Sequence, residues 1–462
     1  MDARNYDSEP YFDVEQVNAT YHGYSNQVYP TTNLTVLTVN YYDHYDFDRN
    51  GTADYTYDNA HLSGQATTAL LAPRGLGTGS KRVTINEAGA TTTNWLVSTV
   101  FYDAYQRPVQ SQSNNHLYLT VADKSTMRYD FAGKVLETKT IHCQGAGNCI
   151  NLTDRQTYDH AGRVLSVYRT INSNPEQQLV RYEYNALGQV VDKKLHVTGE
   201  SFLQSVDFRY TIQGQLKSIN NAQLVANASN NDEANDYFGM ELAYNTVESG
   251  LANAPYYNGN ISALKWKGPG QASGAEDQRS YKYTYDKSDR LKTASFNAHD
   301  GVAWSKETNT LNEEITYDHN GNIKTLLRNQ NLRGLDGLTI TSTPETADNL
   351  TYTYANNLNA LTKVEDTGLT AGFNNGSNAA TEYTYNSSGS LTADQNKGIS
   401  STTYNMLGKV QVITFTDGRK VEYSYSAAGE KLSMKTYQGA TLLTTTNYAG
   451  SFVYEGAAPV LS

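Results

Sequence analysis

The feature that most constrains this chain is a short pattern recurring along most of its length. It reads Tyr, then Asp or Asn, two variable residues, Gly, a polar residue and an aliphatic one. Its anchors are Tyr102, Tyr129, Tyr158, Tyr184, Tyr210, Tyr285, Tyr317, Tyr354, Tyr385, Tyr404 and Tyr425. Tyr129-Asp130-Phe131-Ala132-Gly133-Lys134-Val135 and Tyr158-Asp159-His160-Ala161-Gly162-Arg163-Val164 show it in full. Eight of the eleven anchors carry glycine four residues on, at Gly133, Gly162, Gly188, Gly214, Gly321, Gly389, Gly408 and Gly429. Gln106, Asp289 and Leu358 stand there in the others, so those turns need another way to accommodate the backbone. An aromatic residue often lies two before the anchor, as at Tyr182, Phe208, Tyr283, Tyr352, Tyr383 and Tyr423. That spacing puts both rings on one face of a strand. The Asp or Asn bonds its own backbone to start a turn, glycine supplies the positive φ, and the aliphatic residue opens a returning strand.

Each unit is therefore strand, tight turn, strand. A lone hairpin is only marginally stable in water, so neighbouring hairpins must pair edge to edge and stack their tyrosines. Anchor spacings run from 19 to 37 residues, apart from a gap of 75 between Tyr210 and Tyr285. That gap holds two irregular relatives, Tyr244-Asn245 and Tyr257-Asn258-Gly259-Asn260-Ile261. Helical periodicity is scarce throughout. The expected fold is all-β, an array of antiparallel hairpin repeats over 96–462 with an irregular insertion at about 220–280. A β-rich segment, 1–95, precedes the array.

Composition narrows the function. Tyrosine dominates the aromatics, 37 against 11 Phe and 3 Trp. Disordered chains are poor in aromatics, and a large ring with a polar tip suits a sheet wetted on at least one side. The core should be thin and aromatic rather than aliphatic and deep. Lys plus Arg total 36 against 47 Asp plus Glu, a net charge of −11. Without a basic surplus to neutralise phosphates, nucleic acid is not an expected partner. No apolar run approaches the ~18–20 residues that cross a bilayer as a helix. Met1-Asp2-Ala3-Arg4-Asn5 lacks the basic and apolar regions of a signal peptide. Cys143 and Cys149 flank a short loop, either as a small disulfide or as two reduced thiols.

The Tyr-Asp-x-x-Gly-Arg-x-Leu pattern resembles the YD repeats of bacterial RHS proteins, related to the shells of toxin-complex and teneurin proteins. The resemblance covers roughly 95–462. Leu37-Thr38-Val39-Asn40-Tyr41-Tyr42-Asp43-His44-Tyr45-Asp46-Phe47 is similar to a segment preceding the repeats in large RHS proteins exported to Gram-negative cell surfaces. The resemblance implies a strip of hairpins spiralling into a hollow or partial shell, on a secreted or surface protein, that encloses a C-terminal toxin or effector. Relatives with cargo carry a core segment with Asp-Pro-x-Gly motifs after the repeats, and this sequence has no Asp-Pro pair. The chain is thus expected to be a fragment or internal piece, its export signal, plug and effector lying elsewhere. An array cut at either end exposes an unpaired strand edge. It should pair with the remaining core and effector segment or another protein chain, or cap itself with its first 95 or so residues.

Candidate chemistry is sparse, and no enzymatic activity is expected. In Asp46-Phe47-Asp48-Arg49-Asn50-Gly51-Thr52-Ala53-Asp54, oxygen donors Asp46, Asp48, Asn50 and Asp54, with the Thr52 carbonyl, match much of an EF-hand-like calcium loop. Its twelfth position is Tyr57 instead of a bidentate Glu, and the plainer alternative is an acidic hairpin turn. Beyond calcium no cofactor is expected. His44, His160 and His319 each follow Tyr-Asp, in separate turns. Gly75-Leu76-Gly77-Thr78-Gly79-Ser80-Lys81 lacks the spacing of a phosphate loop and reads as a flexible, solvated loop. Glu313 and Glu314, adjacent on a strand, face opposite ways. Tyrosines outside the pattern, Tyr21, Tyr24 and Tyr29, are candidates for stacking on surface glycans.

Overall fold

A computed structural model describes residues 13, 15–16, 22–28, 31–227, 231–233, 236–268, 274–330, 344–355, 358–369, 372–456 and 458–461. Among them there is no α-helix, and the strands pair antiparallel as successive hairpins. The hairpin of Glu313–Tyr317 and Ile323–Gln330 shows how the pattern folds. Tyr317 ends the outgoing strand and pairs with Ile323 across a register shift. The Asp318 N–H donates to the Asn322 carbonyl at 2.9 Å, and the Gly321 N–H returns to the Asp318 carbonyl at 3.2 Å. Asp318 Oδ1 accepts the N–H groups of Asn320 at 2.9 Å and Asn322 at 2.8 Å. Gly321 has φ 91°. This is a three-residue loop, a type I turn closed by a left-handed residue. The same pair of backbone bonds recurs at Asp103, Asp130, Asp159, Asn185, Thr211, Asp286, Asn386, Asn405 and Ser426.

The three anchors without glycine divide into two solutions. Gln106 and Asp289 adopt the left-handed region themselves, with φ of 62° and 59°. The Tyr354 turn is instead one residue longer: Ala355 N–H donates to the Ala360 carbonyl, and Tyr354 pairs with Leu361. The apparent insertion at about 220–280 contains a paired hairpin of its own. Strands Gly239–Ala243 and Ala263–Lys267 pair along their whole length, flanked by Leu216–Ile219 and Arg279–Tyr285. What is irregular there is the length of the connections.

The chain divides into two compact units, one of residues 1–177 with 401–462 and the other of 178–400. In the first, strand Gly77–Ile85 pairs with Thr38–Tyr42 and Thr91–Tyr102, and its end pairs with Arg419–Ser426. Residue 95 lies within strand Thr91–Tyr102, where Trp95 pairs with Val83. The late strands are further tied back by Ala427 N–H to the Val83 carbonyl at 2.8 Å and by Arg82 to Glu430 at 2.9 Å. Lys435 pairs with Glu87 at 2.7 Å, and Phe452 stacks on His142 with ring centroids 4.1 Å apart. Early and late hairpins of the array therefore meet within this unit.

Its core is aromatic. Tyr45, Phe101 and Val109 are buried, with Tyr55, Tyr57 and Tyr129 packed around them. Phe47 stacks on Tyr41 at 4.4 Å and lies over Gly79, where a Cβ would come within 2.1 Å of the ring. That accounts for the glycine at 79 and corrects the expectation of a solvated loop: residues from Gly77 onward form a strand, half-buried or buried from Thr78 on. In the second unit Ala243, Leu251 and Ala263 pack against Trp304. Gln106→Gly should relieve a left-handed side chain and stabilise the first unit by about 1 kcal/mol. Gly133→Ala should cost about as much. Urea midpoints check both, and an unchanged or lowered midpoint for Gln106→Gly would contradict the turn assignment.

Candidate functional site

The junction between consecutive hairpins concentrates the repeat's polar side chains. Anchor hydroxyls donate to the carbonyl of the residue that opens the return strand of the hairpin before or, for Tyr285, of Ile261, two residues ahead of that strand. Tyr129 reaches Pro108 at 2.6 Å, Tyr158 reaches Val135 at 2.6 Å and Tyr210 reaches Val190 at 3.0 Å. Tyr285 reaches Ile261 at 2.8 Å, Tyr317 reaches Leu291 at 2.8 Å and Tyr354 reaches Ile323 at 2.9 Å. Tyr385 to Leu361 at 3.0 Å and Tyr425 to Val410 at 2.7 Å repeat it, and Tyr102 makes the corresponding bond to Gly77 at 2.6 Å. Tyr184 and Tyr404 likewise end strands, Gln177–Tyr184 and Ile399–Tyr404. Tyr244, which looked irregular in the sequence, binds the Leu216 carbonyl at 2.8 Å and is an anchor like the others. Burial holds the phenols of Tyr129, Tyr158 and Tyr317 above their ordinary pKa, so they stay protonated donors.

The polar residue after the glycine position completes the junction, a role sequence reasoning missed. Arg107 Nε donates to Asp103 Oδ2 at 2.7 Å, while its guanidinium lies 4.7 Å from the Tyr129 ring centroid. Arg290 does the same, at 2.7 Å from Asp286 Oδ2 and 4.4 Å from the Tyr317 ring. Lys134 sits 5.5 Å from the Tyr158 ring. The Arg290 hydrogen bond, first among several, holds the Asp286 carboxyl below the usual carboxylate range. One side chain thus closes its own turn and grips the next anchor ring. The signal was present as a cation four residues after Asp.

In the acidic loop, carboxylate oxygens of Asp46, Asp48 and Asp54 lie within 4.8 Å of one another. They also hold the loop together. Asp46 accepts the N–H groups of Asn50 at 3.0 Å and Gly51 at 2.8 Å, and Asp54 accepts that of Phe47 at 2.6 Å. Asn50 Oδ1 accepts the Thr52 N–H at 2.8 Å, so Asn50 faces the loop's own backbone. Tyr57 donates to the Ala66 carbonyl at 2.5 Å, and Asp58 pairs with Lys124 at 2.6 Å, so neither supplies a twelfth-position ligand. What remains for calcium is three carboxylates without a bidentate partner.

Cys143 and Cys149 are disulfide-bonded across the end of the hairpin Val135–Gly145 and Asn148–Tyr158. His160 and His319 are exposed in their turns, and His44 pairs with Glu15 at 2.6 Å. Glu313 and Glu314 stand opposite Arg328 and Leu327 of the neighbouring strand. Tyr24 is not a free stacking platform: its hydroxyl donates to the Asn40 carbonyl at 2.7 Å and its ring packs near Tyr41. Tyr21 and Tyr29 lie outside the described residues. A groove of about 440 Å³ in the second unit is lined by Tyr256, Tyr257, Gln213, Gln215 and Asn245 among others, with Tyr257 83% exposed.

No protein-family model and no curated protein matches the chain. Among solved structures it is similar to TcdB2-TccC3-TEV, at 14% identity and a TM-score of 0.45, over 82% of this chain and 20% of that one. It is similar to the Photorhabdus luminescens Tc holotoxin pore at 11% identity and a TM-score of 0.36, over 82% and 21%. A porin-like protein from Bacteroides uniformis matches at 11% identity and a TM-score of 0.20, over 54% of this chain and 92% of that one. The chain spans about a fifth of the length of the first two.

Any calcium binding by the Asp46 loop should be weak, with a Kd in the range of about 0.1–1 mM typical of extracellular modules. Calcium at ten times Kd would then stabilise the first unit by about 1.4 kcal/mol. Thermal unfolding with and without calcium checks this. Asp46→Asn with Asp48→Asn should abolish that unit's shift, and a shift that survives would contradict the assignment.

Proposed function

We propose that the chain is a structural scaffold: a stretch of an RHS-type shell, belonging to a secreted or cell-surface bacterial protein, that encloses or carries another segment and performs no catalysis itself. The observation that carries this reading is the anchor hydroxyl bound to the preceding hairpin's carbonyl. It spends the repeat's characteristic side chains on joining hairpins. A wall built this way grows by one unit at a time and needs no deep core. The pairing of Gly77–Ile85 with Arg419–Ser426 supports a wall that turns back on itself, because strands far apart in sequence share an edge. A disulfide suits an oxidising exterior. Exposed apolar residues at turn tips, Phe131, Leu187, Ile212 and Met406, suit packing against the rest of the protein or another chain.

A second reading, adhesion to surface glycans, is favoured by the groove at Tyr256 and Tyr257, where the exposed Tyr257 ring and the half-buried Tyr256 stand beside side-chain amides. Cryo-electron microscopy of the purified chain tests the first reading. A single-layered wall around an open interior is expected; a compact two-sheet sandwich would contradict it. Glycan-array binding lost on Tyr257→Ala would support adhesion, and silent arrays would count against it.

A further inference from the structure

Within the first unit, early and late hairpins meet along a seam that holds two histidines. His142, near the end of strand Val135–Gly145, is 2% exposed and stacked on Phe452, with the Tyr454 ring 5.7 Å away. Its Nδ1 meets Asp123 Oδ2 at 2.8 Å, so a carboxylate already faces this ring. His116 lies in the turn between strands Pro108–Asn115 and Tyr118–Tyr129. Across the seam it faces the Asn447 side chain and the Leu432 backbone. It lines a cavity of about 330 Å³ together with Arg82, Asn115, Glu430, Lys431 and Tyr448.

The two rings differ in how they could carry a positive charge. His116 Nε2 is shut off from solvent and has no hydrogen-bond partner among the described residues. The charged groups around it are already engaged. Asp123 is taken by His142, by Asn115 Nδ2 at 2.9 Å and by the Cys143 N–H at 3.0 Å. Glu430 is paired with Arg82 at 2.9 Å. Lys431, 4.1 Å from the Tyr448 ring centroid, brings a further cation to the same cavity. An imidazolium at His116 would therefore sit beside cations, with Asp123 and Glu430 both occupied. Burial is the leading cause that holds His116 below its ordinary 6.5, and His142 adds to it; Asn447, Leu432 and Asp123 oppose it without reversing it.

We propose that this seam is an acid-sensitive latch: a proton taken up by His116 loosens the late strands Lys431–Gln438, Thr441–Ala449 and Phe452–Glu455 from the early hairpins. The sign follows from the form the fold holds. A histidine kept neutral when folded gives stability that is present above its unfolded value of 6.5 and lost as the pH falls below it. The ion pair elsewhere on the seam responds lower. Burial by itself would raise the Glu87 carboxyl, but its bond to Lys435 at 2.7 Å, with other hydrogen bonds, leaves it below its ordinary 4.5. That pair is lost only as the pH falls through its own, lower range. Between about pH 6.5 and 5, His116 rather than Glu87 sets the response. The latch goes beyond the scaffold reading and does not rest on it. In a container, it would put the point that acid weakens where the wall meets itself.

Hydrogen exchange of the full chain at about pH 7.5 and 5.5, corrected for the intrinsic pH dependence of exchange, tests this. Strands released from the seam lose the cover that a hairpin needs. Protection of Thr441–Ala449 and Phe452–Glu455 should fall several-fold at the lower pH, up to the roughly 10-fold that one proton supplies over one pH unit. Protection of Asn148–Tyr158 and Val164–Ile171 should hold. His116→Gln keeps a hydrogen-bonding side chain but takes no proton, and should abolish the fall. His142→Gln should leave it in place. If the His116→Gln chain does not fold, ring-proton magnetic resonance of the unaltered chain decides: His116 should titrate below 6.5, in step with the lost protection. Protection indifferent to pH, a fall that survives His116→Gln or vanishes in His142→Gln, or a His116 ring titrating at or above 6.5 would each overturn the proposal.

Discussion

The structure depends on one hydrogen bond repeated along the chain, from an anchor tyrosine hydroxyl to a main-chain carbonyl in the hairpin before it. A hairpin has two edges and little apolar surface, so on its own it would be marginal. Strand pairing supplies the ladder, but pairing alone tolerates slippage where neither face is deeply buried. The tyrosine fixes the register, because its hydroxyl meets the residue that opens the return strand: Leu291 for Tyr317, Ile323 for Tyr354, Val135 for Tyr158. Each such bond contributes about 1 kcal/mol, and an arginine over the ring adds about 0.5–1 kcal/mol. These are small terms. Their sum along an array, however, supplements the small cores of the two units.

Where an acid starts the turn and an arginine follows four residues on, the acid, the cation and the next ring form one connected set. Asp286 orders its own loop, Arg290 binds Asp286, and the same guanidinium lies over Tyr317. The turn is thus coupled to the junction, and the spacing from Asp to Arg matters as much as the spacing from Tyr to Gly. An array assembled this way has nearest-neighbour energetics, with its weakest points at the ends. Here part of the edge problem is met inside the first unit, where Val83 to Ile85 accept the strand around Ser426.

Much of this was legible in the sequence, because the turn chemistry is local. Asp318 through Asn322 bond within the turn itself, so residue types at fixed offsets suffice to read it. The all-β hairpin array followed from the same offsets. What the pattern could not convey was where the side chains beyond the turn reach. Tyr244 lacks the full motif yet makes the anchor bond, since that bond needs only a strand end at the right distance from Leu216. Gly77 and Gly79 looked like loop residues, and only the ring of Phe47 above it explains the glycine at 79. Tyr24 looked free for ligands, but Asn40 and Tyr41 use it. The carboxyls of Asp207, Asp232 and Glu233 fall in two separated stretches with no motif between them, so tertiary structure alone brings them together.

Native-state hydrogen exchange on Tyr317→Phe tests the central claim most directly, since the change removes one hydroxyl and leaves the ring. The account predicts that protection falls by about 1 kcal/mol on both sides of the junction, in Arg279–Tyr285 and Leu291–Ala298 as well as in Glu313–Tyr317 and Ile323–Gln330. Protection unchanged everywhere, or lost only in the hairpin that carries the substitution, would contradict it.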